Sequence, residues 1–183
     1  MIRDNYICGF CKKYSPPFDL ARSAVRYRGP IRQAVQAFKY NREVRLAKDL
    51  GRLLLACVRV NYQRIRSDAV AYVPLYGKRE RNRTYNQSRL LAAALARDLK
   101  LPLASMHCVK RVRETGTQTG LNARERRDNV QGAFEVSGQS WIEGRTLLLV
   151  DDVMTTGATV SECAGTLQDA GAAAVYVVTV ARG

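Results

Sequence analysis

No part of this 183-residue chain is apolar over the roughly eighteen residues that a membrane-spanning helix needs, so no membrane insertion is expected. The first residues, Met1 to Cys8, lack the apolar core of a signal peptide, and a cytoplasmic location is the expectation. Histidine is almost missing. The one copy, His107, lies in a stretch that reads as a strand, and no role is assigned to it. Cysteine is sparse: five copies, of which only Cys8 and Cys11 form a CxxC pair. A structural zinc ion takes four ligands, and no second pair stands ready to complete the set. Half a zinc site and two ordinary thiols both remain open for Cys8 and Cys11. Scattered cysteines suit a reducing compartment better than a disulfide framework. Acidic residues are outnumbered, 16 against 30 Lys and Arg, for a formal charge of +14. That excess implies a polyanionic partner or a strongly anionic substrate, set against the plainer reading of a generic basic surface. No internal repeat and no interdomain linker breaks the chain, and 46% hydrophobic residues suffice for one globular core.

What is present centres on Thr146 to Thr159 (TLLLVDDVMTTGAT). Leu147 to Val150 is short, continuous and apolar, as a buried parallel strand is. Asp151 and Asp152 follow, then a loop of Thr155, Thr156, Gly157, Ala158 and Thr159. A helical pattern begins there, with Val160, Ala164, Leu167 and Gly171 at helical spacing. A strand, a tight loop and a helix N-terminus make a place for an anion, because free N–H groups and the helix dipole point at it. Gly157 brings the backbone close to a ligand without a Cβ in the way. The paired carboxylates suit the two hydroxyls of a ribose, which both donate to carboxylate oxygens. Together these features suggest a ribose 5-phosphate group. The plainer alternative, a helix cap at Asp152 and a turn at Gly157, leaves two acids behind a buried strand without a reason.

The rest of the chain alternates between strand and helix patterns. Residues 23–28 read as a short strand, 31–40 and 43–62 as helices, and 69–75 as the first strand of the main sheet. Residues 76–87 read as a basic loop, 86–99 as a helix and 103–109 as a strand. Residues 110–129 carry no apolar periodicity and read as a functional loop. Residues 130–136 suggest a strand or a hairpin arm, and 173–180 the last strand. The order predicts an α/β fold with a parallel, doubly wound sheet. Between Tyr76 and Arg127 stand thirteen Lys/Arg and four Asp/Glu, a net of +9. Most of the excess charge therefore sits on two loops. Lys78, Arg79, Arg81 and Arg83 belong to the first, and Lys110, Arg111, Arg113 and Arg127 to the second. The segment Val73-Pro74-Leu75-Tyr76 would offer backbone N–H groups, the proline excepted, beside the phosphate loop.

The segment VDDVMTTGAT, Val150 to Thr159, resembles the phosphoribosyl pyrophosphate (PRPP) motif of type I phosphoribosyltransferases. The chain as a whole resembles the ComF competence proteins (ComFC/GntX type). The match runs through Tyr27 to Arg32, Phe38 to Tyr40, Val73 to Leu75, Asn86 and Gln87, and then Arg111, Thr115, Gln118, Arg127, Asn129, Gly132 and Phe134. Two departures stand out. The family's RGFNQ is here NRTYNQ, Asn82 to Gln87, without its glycine. Only one CxxC pair is present where the family's N-terminal zinc ribbon has more.

The resemblance implies a type I phosphoribosyltransferase fold with a small N-terminal helical, cysteine-containing subdomain. Residues 1–22 would be a remnant of the zinc ribbon and 23–183 the phosphoribosyltransferase-like domain. It implies PRPP as ligand, with Asp151 and Asp152 on the ribose and Thr155 to Thr159 on the 5-phosphate. Pro74, Leu75, Tyr76 and the basic residues named above would serve pyrophosphate or nucleic acid. Mg²⁺ would arrive with PRPP, and zinc would bind only in a fuller N-terminal site. Single-stranded DNA and other cytosolic DNA-uptake proteins are the implied partners, with Tyr76 and Tyr85 stacking on bases. Residues 110–129 would close as a lid. Where purine-salvage relatives carry an acid this chain has Thr155, and no residue stands out as a catalytic base. Two functions remain: a PRPP-binding protein that handles incoming DNA, and a phosphoribosyltransferase whose acceptor is unknown.

Overall fold

The computed structural model describes residues 7, 9–105, 108–116, 120 and 122–183. In chain order its elements are α1 (Gly9–Tyr14), β1 (Leu20–Arg26), α2 (Gly29–Tyr40), α3 (Leu46–Asn61), β2 (Ala69–Tyr72), α4 (Gly77–Arg83) and α5 (Gln87–Leu99). There follow β3 (Val109–Arg111), α6 (Ala123–Val130), β4 (Phe134–Val136), α7 (Gln139–Ile142), β5 (Thr146–Met154), α8 (Ala158–Asp169) and β6 (Ala174–Arg182).

β1, β6, β5 and β2 lie side by side in that order, and each neighbouring pair is parallel. Strand side chains alternate between faces, so a run such as Leu147 to Val150 is buried on both only if helices cover both. They do. Leu147, Leu149, Val175 and Val177 pack with Cys163, Ala164 and Leu167 of α8. Leu148, Val150, Val178 and Val180 pack with Val35 and Phe38 of α2, Leu50 and Leu54 of α3, and Leu91 and Leu95 of α5. Each fully buried leucine contributes about 1.5–3 kcal/mol relative to exposure. This is the parallel, doubly wound α/β sheet that the sequence predicts. No helix among the described residues is long and apolar enough to cross a membrane.

The connections decide where a ligand can sit. From β5 the chain runs through α8 to β6 on one side. From β2 it runs through α5 to Leu103, which touches β2 at Val70 on the other side. The two connections diverge between β2 and β5, and such a point opens a crevice at the carboxyl ends of the strands.

Several elements differ from the sequence expectation. The strand expected over 103–109 is one bridge at Leu103. From Val109 the chain instead joins β3, which pairs antiparallel with β4 off the main sheet. His107, between them, lies outside the described residues, as do Cys8 and Gln118. The basic loop over 76–87 contains the short helix α4, which buries no side chain and so left no apolar pattern to read. The loop over 110–129 contains α6, started by a capping box in which Asn122 and Glu125 satisfy each other's backbone N–H groups. β5 does not stop at Val150 but runs on to Met154, because its register with β6 continues through Asp151, Val153 and Met154.

β1 starts at Leu20, so residues 20–22 belong to the sheet. The segment before it lies against α8, where Pro17 packs on Gly165. Tyr14, at the end of α1, lies under the Arg127 guanidinium of α6, 4.1 Å from its ring centroid.

Candidate functional site

A cleft of about 840 Å³ opens at the carboxyl edge of the sheet. Its floor is the end of β5, with Asp151 and Asp152. One wall is α2, another the segment after β2 with α4 and the start of α5, and a third α6 with the loop before α8.

The two acids sit side by side in β5, so each meets different neighbours. Asp152, 6% exposed, forms an ion pair with Lys39 Nζ of α2 at 2.8 Å. Asp151 Oδ1 accepts from Ser88 Oγ of α5 at 2.8 Å and from the Asp152 backbone N–H at 2.9 Å. Burial, and then the charge of Asp152, push the Asp151 carboxyl up to about 6, against the pull of Ser88 and Lys39. Burial alone would lower Lys39. The Asp152 carboxylate outweighs it, and the ammonium is held above its ordinary range. The Asp151 carboxyl is thus less acidic than an ordinary aspartate, and Lys39 is a cation paired with its neighbour Asp152.

Beyond the acids the chain turns through Thr155 and Thr156 into Gly157, the N-cap of α8, at φ 84°. Only glycine takes this left-handed conformation without strain, and no side chain caps α8 there. The first turn of α8 faces the loop, and its Ala158 N–H reaches Thr156 Oγ1 at 3.4 Å. Thr155 and Thr159 line the cleft. Arg126 of α6 donates from Nη1 to Thr155 Oγ1 at 2.6 Å, so α6 is tied to this loop.

The structure divides the basic residues singled out from the sequence. Arg79, Arg83 and Arg111 line the cleft. Arg79 donates to the Thr115 carbonyl at 3.1 Å and Arg111 to Thr115 Oγ1 at 2.5 Å, which joins the two loops. Arg111 is buried, which lowers its pKa, and its guanidinium lies 5.3 Å from the Phe134 ring. The other five lie outside the cleft lining. Lys78 pairs with Glu114 at 3.4 Å on the surface. Arg81 and Lys110 are exposed. Arg113 donates to the carbonyls of Asn129 and Gln131, and Arg127 turns to Tyr14. Of Pro74, Leu75 and Tyr76, only Leu75 lines the cleft, while Pro74 is buried and Tyr76 caps α4. Tyr85 packs its ring on Phe38, with its hydroxyl on the Phe38 carbonyl.

Sequence reasoning missed α2 as a wall of the site. Arg32, Gln36, Lys39 and Tyr40 fall on one helical face, and all four line the cleft with Arg42 just beyond. The spacing was legible, but that this face meets Asp152 was not. Arg126 was missed beside its neighbour Arg127. Cys11 lies in α1, partly buried. Among the described residues no group of three or more His, Cys, Asp or Glu stands together as a metal site.

The cleft thus holds two acids on its floor, the glycine-started N-terminus of α8 beside them, and seven Lys or Arg around them. The chain is similar to known proteins along nearly its whole length. Residues 86–183 match the phosphoribosyl transferase domain. The chain is 36% identical to competence protein F of Haemophilus influenzae over 96% of its length and 78% of that protein's. It is 37% identical to the DNA utilization protein YhgH of Escherichia coli K12, over 96% and 77%. Among solved structures, a glutamine PRPP amidotransferase from B. subtilis shares 22% identity over 73% of this chain and 25% of that one, with a TM-score of 0.48. With its acids at the end of β5, its glycine-started α8 and these relatives along nearly its whole length, the chain belongs to the phosphoribosyl transferase domain family, in the branch of the competence protein F and YhgH proteins.

Proposed function

We propose that the cleft binds Mg–PRPP and that the protein acts in DNA uptake, handling single-stranded DNA in the cytosol. One observation carries the ligand reading. Asp151 and Asp152 are the acids of a cleft whose other charged side chains are seven Lys or Arg. A ribose diol donates to carboxylates, while phosphate groups suit the cations and the N–H groups at the start of α8. The ribose hydroxyls meet Asp151 and the oxygen of Asp152 that Lys39 leaves open. The 5-phosphate meets Thr155 to Thr159, and the pyrophosphate meets Arg79 and Arg111. A resident Mg²⁺ does not suit the acids, because the Lys39 ammonium already touches Asp152. The metal belongs to the ligand, carried in on its phosphates.

The DNA role is supported by the relatives named for competence and DNA utilization, and by the charge of +14. Lys78, Arg81 and Lys110, exposed outside the cleft, suit phosphates along a strand.

Calorimetric titration tests the ligand. Mg–PRPP binds the wild type, and Asp151→Asn/Asp152→Asn loses the binding while staying folded. A folded wild type that takes no PRPP overturns the reading. Anisotropy of a labelled oligonucleotide tests the DNA role, with affinity falling steeply as salt rises. Pyrophosphate release from PRPP in the presence of a defined acceptor would instead favour the transferase reading.

A further inference from the structure

Two buried donors of the cleft lack an acceptor among the described residues, Gln87 Nε2 and Arg111 Nε. Gln87 is 2% exposed and Arg111 9%, and both line the cleft. Buried donors are nearly always paired, so an unpaired one in a cleft calls for a ligand atom.

The Gln87 amide is not free to choose its orientation. Its Oε1 accepts from Arg83 Nη1 at 3.0 Å. A guanidinium only donates, so this contact turns the oxygen toward Arg83 and the NH2 away from it. Arg83 is itself held, with its guanidinium 5.1 Å from the Tyr40 ring. The backbone around Gln87 is pinned on both sides. Asn86 caps α5 through the Arg89 N–H at 3.2 Å and donates to the Val73 carbonyl at 3.2 Å. Ser88 donates to Asp151 at 2.8 Å. Gln87 therefore stands one residue from the contact that holds an acid, at the start of a helix whose dipole favours an anion.

We propose that Gln87 is a ligand-binding residue, with its NH2 donating to an oxygen of the anionic group beside the acids. Arg83 is the positioning residue that keeps the amide in that orientation. The proposal rests on the reading of the cleft as a phosphosugar site and adds a selectivity to it. A donor at this point accepts a ligand that presents an oxygen there and rejects one that presents an amine. Arg111 Nε supplies a second donor in the same cleft.

The test is titration of Mg–PRPP into the wild type and four variants, each melted without ligand. Gln87→Met should bind about 10- to 100-fold more weakly, the worth of a hydrogen bond to a charged group. Its melting temperature should hold or rise, because the unpaired donor is gone. Gln87→Glu keeps the partner of Arg83 but faces the ligand with an oxygen, and should bind more weakly still. Arg83→Met should weaken binding, and Arg83→Lys, which still donates to Oε1, should restore most of it. In the Arg83→Met background the Gln87→Met change should cost less than in the wild type, which lost charge alone would not produce. Wild-type binding with Gln87→Met and Gln87→Glu within about twofold of it overturns the inference and leaves the cleft reading standing. If a folded wild type takes no PRPP, inorganic pyrophosphate is titrated in its place. The same ranking then upholds Gln87 alone, and no binding overturns it.

Discussion

Lys39→Met removes the cation paired with Asp152 while keeping the apolar stem of the side chain. Asp152 would be left 6% exposed with Asp151 beside it. Removing one partner of a buried ion pair destabilises by about 3–5 kcal/mol, because the other charge stays behind unpaired. The Lys39 side chain is 19% exposed and opens on the cleft, so water recovers part of this, leaving about 2–3 kcal/mol. For a chain of this length that is a fall in Tm of about 5–10 °C. Lys39 titrates above its ordinary value of 10.5, so on the alkaline side its contribution holds up to about that pH and fades as the ammonium deprotonates in strong base. Urea unfolding at neutral pH measures the loss. Asp152→Asn in the same background should recover most of it, with a coupling of about 2 kcal/mol in the double-mutant cycle. A Lys39→Met protein within about 0.5 kcal/mol of the wild type, or additive single changes, would refute the reasoning.

Asp151 makes stability depend on pH in the opposite sense to a salt-bridged acid. Its folded value near 6 lies above the ordinary 3.8, so the folded chain holds this proton after the unfolded chain has lost it. Its contribution to stability should fall as pH rises from about 4 to 6 and stay level above that, and Asp151→Asn should remove this slope in urea midpoints taken across the range. Parallel profiles for the two proteins would show that Asp151 is not the group responsible. Gly157→Ala has room for its Cβ, with the nearest atom, Met154 Sδ, at 3.7 Å, but not for its backbone at φ 84°. It should lose about 1–2 kcal/mol in thermal melting and weaken Mg–PRPP binding by more than about tenfold. Loss of stability with undiminished affinity would make the loop a turn and nothing more.

Elements with a regular buried pattern were legible in the sequence. β5 and β6 are apolar runs, α3 and α5 show helical spacing, and the acids and Gly157 sit where strand gives way to helix. The misses share a cause. α4 buries no side chain and α6 only Val130, so neither carries an apolar stripe, and α6 is announced only by its capping box at Asn122 and Glu125. The run over 103–109 looked like a sheet strand because apolar alternation does not say which neighbour a strand will find.

The sequence by itself determined the chemistry of the cleft floor, since the acids, the threonines and the glycine lie within nine residues and local backbone physics brings them together. Only the tertiary structure decided which cations face them. Lys39 is 113 positions from Asp152 and Arg126 is 29 from Thr155. Arg127, next in sequence, faces Tyr14 instead. Such choices depend on how α2 and α6 cross the sheet edge, which is set by packing over the whole core and not by any short stretch of chain.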